Sequence, residues 1–92
     1  MAKVEMTTHL HRFFPVLAQQ PLEVPAGSVA QVLKAVDEIA PGFSNYIVDE
    51  HGALRQHVNL SLNNTIVVDR KTLTDYVDDN STLFIFQSLT GG

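Results

Sequence analysis

The sequence contains no cysteine, so disulfides, thiolate metal sites and cysteine nucleophiles are excluded. Six Lys and Arg residues stand against ten Asp and Glu residues, for a formal net charge of −4. This balance disfavours nucleic-acid binding, which needs a basic patch. No apolar run approaches the roughly 20 residues of a membrane-spanning helix, and the N-terminal segment lacks the apolar core of a secretory signal. We therefore expect a cytoplasmic protein with no nucleic-acid partner and no membrane partner.

The composition is typical of one globular domain. Hydrophobic residues make up 45% of the 92 residues, and no segment is of low complexity. A chain of this length can bury a single modest core but is too short to divide into two domains. We therefore predict one domain over residues 1–92, with residues 88–92 as a flexible C-terminal tail.

The first half of the chain predicts two short strands. Residues 4–10 place their even-numbered side chains, Leu10 included, on one face, which is the period of two of a half-buried strand. A loop-like stretch over residues 14–21 follows. A second strand is predicted over residues 22–24, where Pro25 ends it.

A helix is predicted after Ser28. Ser28 and Gln31 have the spacing of a capping box, in which each side chain binds the backbone N–H of the other residue. Pro41-Gly42 ends the helical pattern. An apolar stripe with helical spacing must pack against an apolar surface. Its members are Val29, Val32, Leu33, Val36, Ile39 and Ala40.

The second half returns to strands. Residues 58–62 alternate in polarity, and Asn63-Asn64 is a turn pair that tolerates positive φ. The order ββ-α-βββ predicts an α+β fold, in which one main helix packs on one face of a mixed sheet of about five strands. Three further segments are predicted: a return strand at 65–69, a polar turn at 72–80 with a short helical piece around Tyr76, and a last strand at 83–89.

The sequence ends in Gly91-Gly92, directly after a strongly apolar segment. With average glycine usage near 7%, the chance probability of such a pair is about 0.5%. Two residues without Cβ form a thin chain that can enter a narrow tunnel in another enzyme and present its carboxylate to ATP. Adenylation would activate the carboxylate, and a sulfur donor could then replace AMP to leave a thiocarboxylate. The alternative is a frayed end with no role.

Four segments occur in an order that is shared with a known family. They are Glu23-Val24-Pro25-Ala26-Gly27, Gly52-Ala53-Leu54-Arg55, Val58–Asn63 and Leu89-Thr90-Gly91-Gly92. Together with the first strand they resemble the MoaD/ThiS family of sulfur-carrier proteins, which have the ubiquitin-like β-grasp fold. Two positions depart from the family pattern: Asn63-Asn64 stands where Asn-Gly is frequent, and Asp78-Asp79-Asn80-Ser81 where Asp-Gly-Asp is frequent.

The resemblance implies a carrier protein and not an enzyme. Such a carrier is adenylated at Gly92 by an E1-like enzyme, loaded with sulfur, and discharged to a downstream sulfur-accepting synthase. ATP is bound by the partner, so the chain itself needs no cofactor. Residues 52–63 resemble the small subunit of molybdopterin synthase and, more closely, the longer carriers used for cysteine or specialised-metabolite sulfur.

The last strand also predicts a partner surface. If Leu83 and Ile85 face the helix, Phe84 and Phe86 stand on the open side of the sheet, where large apolar side chains usually mark an interface. By resemblance, family members bind their activating enzyme and synthase there. The alternative is that a loop around Phe13-Phe14 covers the two phenylalanines. The predicted partner-binding residues are Phe86, Phe84, Ile66, Leu89 and Thr90.

Three other groups of residues bear reactive side chains, and none has the spacing of a site. The histidines lack acidic or thiolate partners for a metal, the aspartates lack the spacing of a calcium loop, and the serines lack a base. The aspartates indicate a solvated turn that aids an encounter with a basic partner. The groups are His9, His11, His51 and His57; Asp75, Asp78 and Asp79; and Ser44, Ser61 and Ser88.

Three functions remain open on the sequence alone. The first is a sulfur carrier, and the second is a ubiquitin-like modifier that is joined through Gly92 to lysines. Both use the same activated terminus, so the sequence does not separate them. The third is a β-grasp binding module with a coincidental tail. An independent enzyme is disfavoured by the small size and the lack of a catalytic constellation.

Overall fold

The computed structural model describes residues 1–18, 22–67 and 69–87. The strands are β1 (Ala2–Met6), β2 (Glu23–Val24), β3 (Gly27–Ser28), β4 (Val58–Leu62), β5 (Thr65–Ile66), β6 (Tyr76–Val77) and β7 (Thr82–Gln87). The helices are α1 (Thr8–Phe13), α2 (Val29–Ile39) and α3 (Phe43–Ile47), with a 3₁₀ turn at Pro15–Ala18. None of the helices within the described ranges has the length and apolar character needed to cross a bilayer.

The main sheet is mixed and has five strands in the order β2-β1-β7-β4-β5. Its central strand β7 pairs in parallel with β1 and antiparallel with β4. β2 and β5 are added at the two edges, each antiparallel to its neighbour. In a second sheet, β3 pairs with β6. The predicted α+β fold, with a mixed sheet and one main helix on one face, is confirmed.

The capping box of α2 is confirmed. Ser28 Oγ accepts a hydrogen bond from Gln31 N at 3.2 Å, and Ser28 N donates to Gln31 Oε1 at 2.9 Å. The stripe of α2 is buried at Val29, Val32, Leu33 and Val36, where it forms the core with the sheet. The prediction for the last turn of the helix was partly wrong. Ala40 is buried, but the side chain of Ile39 is 43% exposed because it lies off the stripe.

The first strand is shorter than predicted. It ends at Met6, and residues 8–13 form α1. Thr7 still donates its N–H to the Ile85 carbonyl at 3.2 Å, after which the chain leaves the sheet. The period-two pattern continued to Leu10 because Leu10 is the buried residue of α1 and points into the core. The stretch predicted as loop contains the 3₁₀ turn, and residues 19–21 lie outside the described residues.

The region after α2 holds a helix that the sequence reading missed. Pro41-Gly42 ends α2 as predicted, but α3 starts one residue later. Gly42 has φ of +99°, a conformation that costs a glycine little. Asp37 Oδ1 accepts hydrogen bonds from Gly42 N at 3.1 Å and from Ser44 N at 2.8 Å, which fixes the turn.

The hairpin of β4 and β5 turns at Asn63-Asn64, with φ of 51° and 70°, as predicted. β5 is shorter than the predicted strand over residues 65–69, and Asp69 instead turns the chain by accepting hydrogen bonds from the backbone of Lys71 and Thr72. Val68 lies outside the described residues.

The helical piece predicted around Tyr76 is wrong. Tyr76 and Val77 form β6, which pairs with Gly27 and Ser28 of β3. This pairing continues at the start of α2, where Val29 N donates to the Asp75 carbonyl at 2.8 Å. Hydrogen bonds to residues distant in sequence therefore hold this polar segment extended. Its local sequence does not predict them.

Candidate partner-binding face

The alternation along β7 divides the sheet into two faces. Leu83 and Ile85 are fully buried against the helices, as predicted. Phe84 and Phe86 point the other way and are half-buried, with ring centroids 5.5 Å apart and planes inclined by 21°. Within the described residues, the helices lie on one face of the sheet, so these two stacked rings lie on the other, which we call the open face.

Strand register places polar side chains around the two rings. Glu5 of β1 and Ser61 of β4 flank Phe84, and Asn59 of β4 is opposite Phe86. Directly paired residues share a face, so all three belong to the open face. A cleft of about 510 Å³ lies beside Phe84 and leaves room for a side chain of another molecule. It is lined by Glu5, Ser61, Asn63, Asn64, Thr82 and Phe84.

Ile66 extends the apolar surface towards the β5 edge. It pairs with Ser61 in the β4–β5 ladder, and its side chain is 55% exposed. The structure thus brings together three of the predicted partner-binding residues, Phe84, Phe86 and Ile66. Leu89 and Thr90 lie outside the described residues, as do Gly91 and Gly92.

Phe13 and Phe14 pack elsewhere. Phe14 contacts Phe43 and Tyr46 edge to face, with ring centroids 5.3 and 5.7 Å apart, and Phe13 contacts Tyr46 at 5.2 Å. Tyr46 belongs to α3 and accepts from Gln87 Nε2 at 3.4 Å. Among the described residues, the aromatic contacts of Phe84 and Phe86 are with each other. The alternative of a covering loop around Phe13-Phe14 is therefore not supported.

Arg70 is a feature of this region that sequence reasoning missed. Its Nη1 donates to Asn59 Oδ1 at 3.1 Å, and its Nη2 donates to the Arg55 carbonyl at 2.8 Å. Asn59 pairs with Phe86, so half-buried Arg70 is hydrogen-bonded to a residue that flanks the aromatic pair. No local motif marks Arg70, since its two acceptors are 11 and 15 residues away in sequence.

β7 is the last described strand before the predicted tail. Gln87 is the last residue of β7, and Gly92 follows five positions later. A chain of five residues spans at most about 17 Å when fully extended.

Within the described ranges, the histidines and aspartates do not cluster into a candidate site. Among residues 1–18, 22–67 and 69–87, no three His, Asp or Glu side chains come together as a metal site would require. His51 Nε2 lies 3.5 Å from the Glu50 carboxylate in an exposed pair. Asp78 and Asp79 are exposed, as predicted for a solvated turn, and Asp78 Oδ1 accepts from Asn80 N at 2.9 Å.

Two half-buried aspartates order turns. Hydrogen bonds from Thr72, through its hydroxyl and its N–H, and from Lys71 N lower the pKa of Asp69. A hydrogen bond from His51 N, with a smaller one from Ala53 N, lowers the pKa of Asp49. Both carboxylates cap loops, so their charges have structural roles and do not indicate acid–base chemistry.

Solved structures share this fold. No family model and no curated protein matches the sequence. The structure is similar to CysO in the crystal structure of the Amycolatopsis orientalis BexX/CysO complex, with a TM-score of 0.82 and 22% identity over 100% of both chains. It is also similar to SAMP1 from Haloferax volcanii, with a TM-score of 0.71 and 18% identity over 99% of this chain and 98% of the other.

A further crystal structure, of H. volcanii small archaeal modifier protein 1, matches with a TM-score of 0.71 and 16% identity over 96% of this chain and 97% of the other. At such identities the similarity concerns the fold. The ubiquitin-like β-grasp architecture expected from the sequence is therefore confirmed.

Proposed function

We propose that this protein is a sulfur carrier, activated by adenylation of its Gly92 carboxylate. The observation that carries the proposal is the match to CysO over the full length of both chains, in a sequence that ends in Gly91-Gly92. The helix-covered face of the sheet accounts for the fold. In this proposal, the open face and the last two residues interact with other proteins.

The chemistry follows from the terminal carboxylate. One carboxylate oxygen attacks the α-phosphate of ATP, and pyrophosphate leaves. The resulting acyl-adenylate has a good leaving group, so hydrosulfide can attack the carbonyl carbon and displace AMP. With hydrosulfide the products are the thiocarboxylate, AMP and a proton. The chain supplies the carbonyl carbon, and the partner supplies ATP binding and the sulfur.

The partner in this scheme is an E1-like adenylating enzyme, and a sulfur-accepting synthase follows it. The open face offers Phe84, Phe86 and Ile66 as apolar contacts. Aromatic side chains are frequent anchors of protein interfaces. Contacts on this face would hold the body while Gly91-Gly92 reaches the nucleotide. Without Cβ atoms, the two glycines fit a passage that larger residues would obstruct.

A second candidate is a protein modifier conjugated through Gly92. The similarity to small archaeal modifier protein 1 favours it, because that protein has the same fold. Both candidates begin with the same acyl-adenylate, and they differ in the nucleophile that accepts the acyl group. Sulfur gives a carrier, whereas a lysine amine of another protein gives an isopeptide bond.

Intact mass spectrometry separates the two candidates. The protein is expressed in its native host and purified, with the variant lacking Gly92 as the control. The carrier proposal predicts a species whose mass exceeds that of the free acid by the difference between sulfur and oxygen. Abundant high-mass conjugates without this species would contradict the carrier proposal and support the modifier. If the wild-type protein and the variant lacking Gly92 each show only the mass of their own unmodified chain, the result would support a plain binding module.

A further inference from the structure

A cleft of about 400 Å³ adjoins the end of β7 on the helix side of the sheet. Its volume falls within the roughly 300–1,000 Å³ of sites that take small ligands. Gln87, the last described residue before the tail, forms part of its wall and donates to the Tyr46 hydroxyl at 3.4 Å. We call it the exit cleft. It is lined by Asn45, Tyr46, Arg55, His57, Val58 and Gln87.

The exit cleft is basic, although the protein has a formal net charge of −4. Arg55 and His57 are exposed on its rim, and none of the described residues that line it is acidic. Arg70 adds a second guanidinium nearby, because its Nη2 donates to the Arg55 carbonyl at 2.8 Å. The clefts beside Phe84 and Ile66 are lined by acidic side chains instead. The charges around the exit cleft therefore favour an anionic occupant.

Arg55 is held in place and keeps donors to spare. Its Nε donates to the Asn45 carbonyl at 2.8 Å, and its two Nη atoms donate to no acceptor within the described residues. A hydrogen bond from His51 N is the main cause of the lowered pKa of Asp49, and the charge of Arg55 contributes a small part. Asp49 is not within ion-pair distance of Arg55, and its Oδ1 accepts from the backbone of its own turn. The paired Nη atoms thus suit a further carboxylate, which guanidinium binds in a forked arrangement.

The tail has the length and composition to fill this cleft. A volume of about 400 Å³ is roughly 9 Å across as a sphere, and five residues span up to about 17 Å, so residues 88–92 are long enough to turn back into it. The terminal glycines adopt turn conformations at little cost. Leu89 suits the apolar wall of Tyr46 and Val58, and the Gly92 carboxylate suits the cations of the rim.

We propose that residues 88–92 occupy the exit cleft of their own chain in the free protein, with the Gly92 carboxylate on Arg55 and Leu89 against Tyr46. This inference rests on the proposed function, in which Gly92 bears a free carboxylate. An exposed ion pair contributes little free energy, so docked and free tails have similar populations and a partner withdraws the tail easily. With half of the chains docked, the apparent affinity of a partner that needs the free tail falls about twofold. The cleft is then a resting position that competes with activation.

Nuclear magnetic resonance of the whole chain tests this proposal without a partner enzyme. Docking predicts nuclear Overhauser contacts between the Leu89 methyl groups and the Tyr46 ring that do not change on dilution. Two matched comparisons identify the groups that hold the tail. The free acid is compared with the same chain carrying a C-terminal amide, which removes only the charge of Gly92. Arg55→Gln is compared with Lys3→Gln, because Lys3 is exposed and pairs with Thr82 at the other end of β7.

Arg55→Gln and the C-terminal amide should each weaken the contacts between Leu89 and Tyr46 about twofold, the scale of one exposed ion pair between equally populated states. Lys3→Gln should leave these contacts as in wild type. In the amidated protein, Arg55→Gln should have no further effect, because the two groups act as a pair. The amide changes no residue of the folded body, so it gives the decision if Arg55→Gln disturbs the loop that Arg55 tethers to Asn45.

Absence of these contacts in the free acid would overturn the proposal. Equal effects of Arg55→Gln and Lys3→Gln would also overturn it, because the effect would then be one of net charge. Contacts that weaken on dilution would assign the cleft to the tail of a second copy and contradict docking within one chain. Failure of the proposed function has a different signature: the contacts form as predicted, but the adenylating enzyme of the native host supports no pyrophosphate exchange.

Discussion

The two faces of β7 differ in what they contribute. Leu83 and Ile85 are fully buried in the core that the sheet forms with α2. Phe84 and Phe86, their neighbours in sequence, stack on each other on the open face and are flanked by Glu5 and Asn59. Adjacent residues of one strand therefore lie in the core and on the open face in turn, because a strand sends alternate side chains to opposite faces.

This comparison explains how such a small protein could carry the proposed binding surface without weakening its core. Every buried residue of β7 contacts the helix side, and the open face is free to carry aromatic and charged groups. A change on one face should therefore affect stability, and a change on the other should affect binding. Substitutions on the two faces test whether stability and binding are separated in this way.

The largest loss of stability is expected for Ile85→Ala. Ile85 is 0% exposed and pairs with Met6 and Leu60 at the centre of the sheet. Its truncation should lower the free energy of unfolding by about 2–5 kcal/mol, since a cavity adds to the lost transfer energy. Chemical denaturation measures this loss. A midpoint equal to that of wild type would contradict the assignment of Ile85 to the core.

Leu33→Ala makes the same test from the other side of the core. Leu33 of α2 is 2% exposed and faces the sheet. Its truncation should also cost about 2–5 kcal/mol of unfolding free energy. Ile39→Ala, on the same helix but 43% exposed, is the matched control and should cost less than 1 kcal/mol or so. Equal losses would show that the helix packs differently.

Phe86→Ala should have the opposite effect. Its half-buried ring should contribute only about 1 kcal/mol to folding. As an interface anchor it should contribute about 2 kcal/mol to binding of the adenylating enzyme, or roughly 30-fold in affinity. Calorimetric titration and a melting curve give both values. Tyr76→Ala, an exposed aromatic of β6, is the control and should leave affinity unchanged. A large fall in melting temperature with wild-type affinity would place Phe86 in the core.

The smallest effect is expected at Asp69, which is on neither face. Its pKa lies below the ordinary value of 3.8 in the folded protein, chiefly through the Thr72 hydroxyl. The ionised form is therefore favoured by folding, and its contribution is present above pH 3.8 and is lost as the pH falls below it. Asp69→Asn should lower the melting temperature slightly at neutral pH. The difference should vanish in acid, and a constant difference at every pH would contradict this account.

Local signals in the sequence predicted what depends on neighbours in the chain. The capping box of Ser28 and Gln31 forms as expected because both partners lie within one turn. The turn at Asn63-Asn64 follows from residues that tolerate positive φ. The alternation of β7 correctly assigned Ile85 and Phe86 to opposite faces, since burial of alternate residues is a property of the strand itself.

The missed features depend on distant contacts. β6 is extended because Tyr76 and Val77 pair with β3, almost 50 residues earlier. The position of Arg70 depends on acceptors in β4 and in the segment before it. The end of β1 was misplaced because Leu10 of α1 is buried and thereby prolongs the apparent alternation. The sequence alone indicated the Phe84–Phe86 surface but not the charges that flank it.

The central claim is that Gly92 carries the reacting carboxylate, and pyrophosphate exchange with the adenylating enzyme of the native host tests it most directly. Removing Gly92 shifts the terminal carboxylate by about 3.5 Å along an extended chain, and even about 1 Å of misplacement can cost roughly 100-fold in rate. We predict that the variant lacking Gly92 keeps the circular dichroism spectrum and melting temperature of wild type but supports no exchange. Exchange at the wild-type rate without Gly92 would contradict the claim.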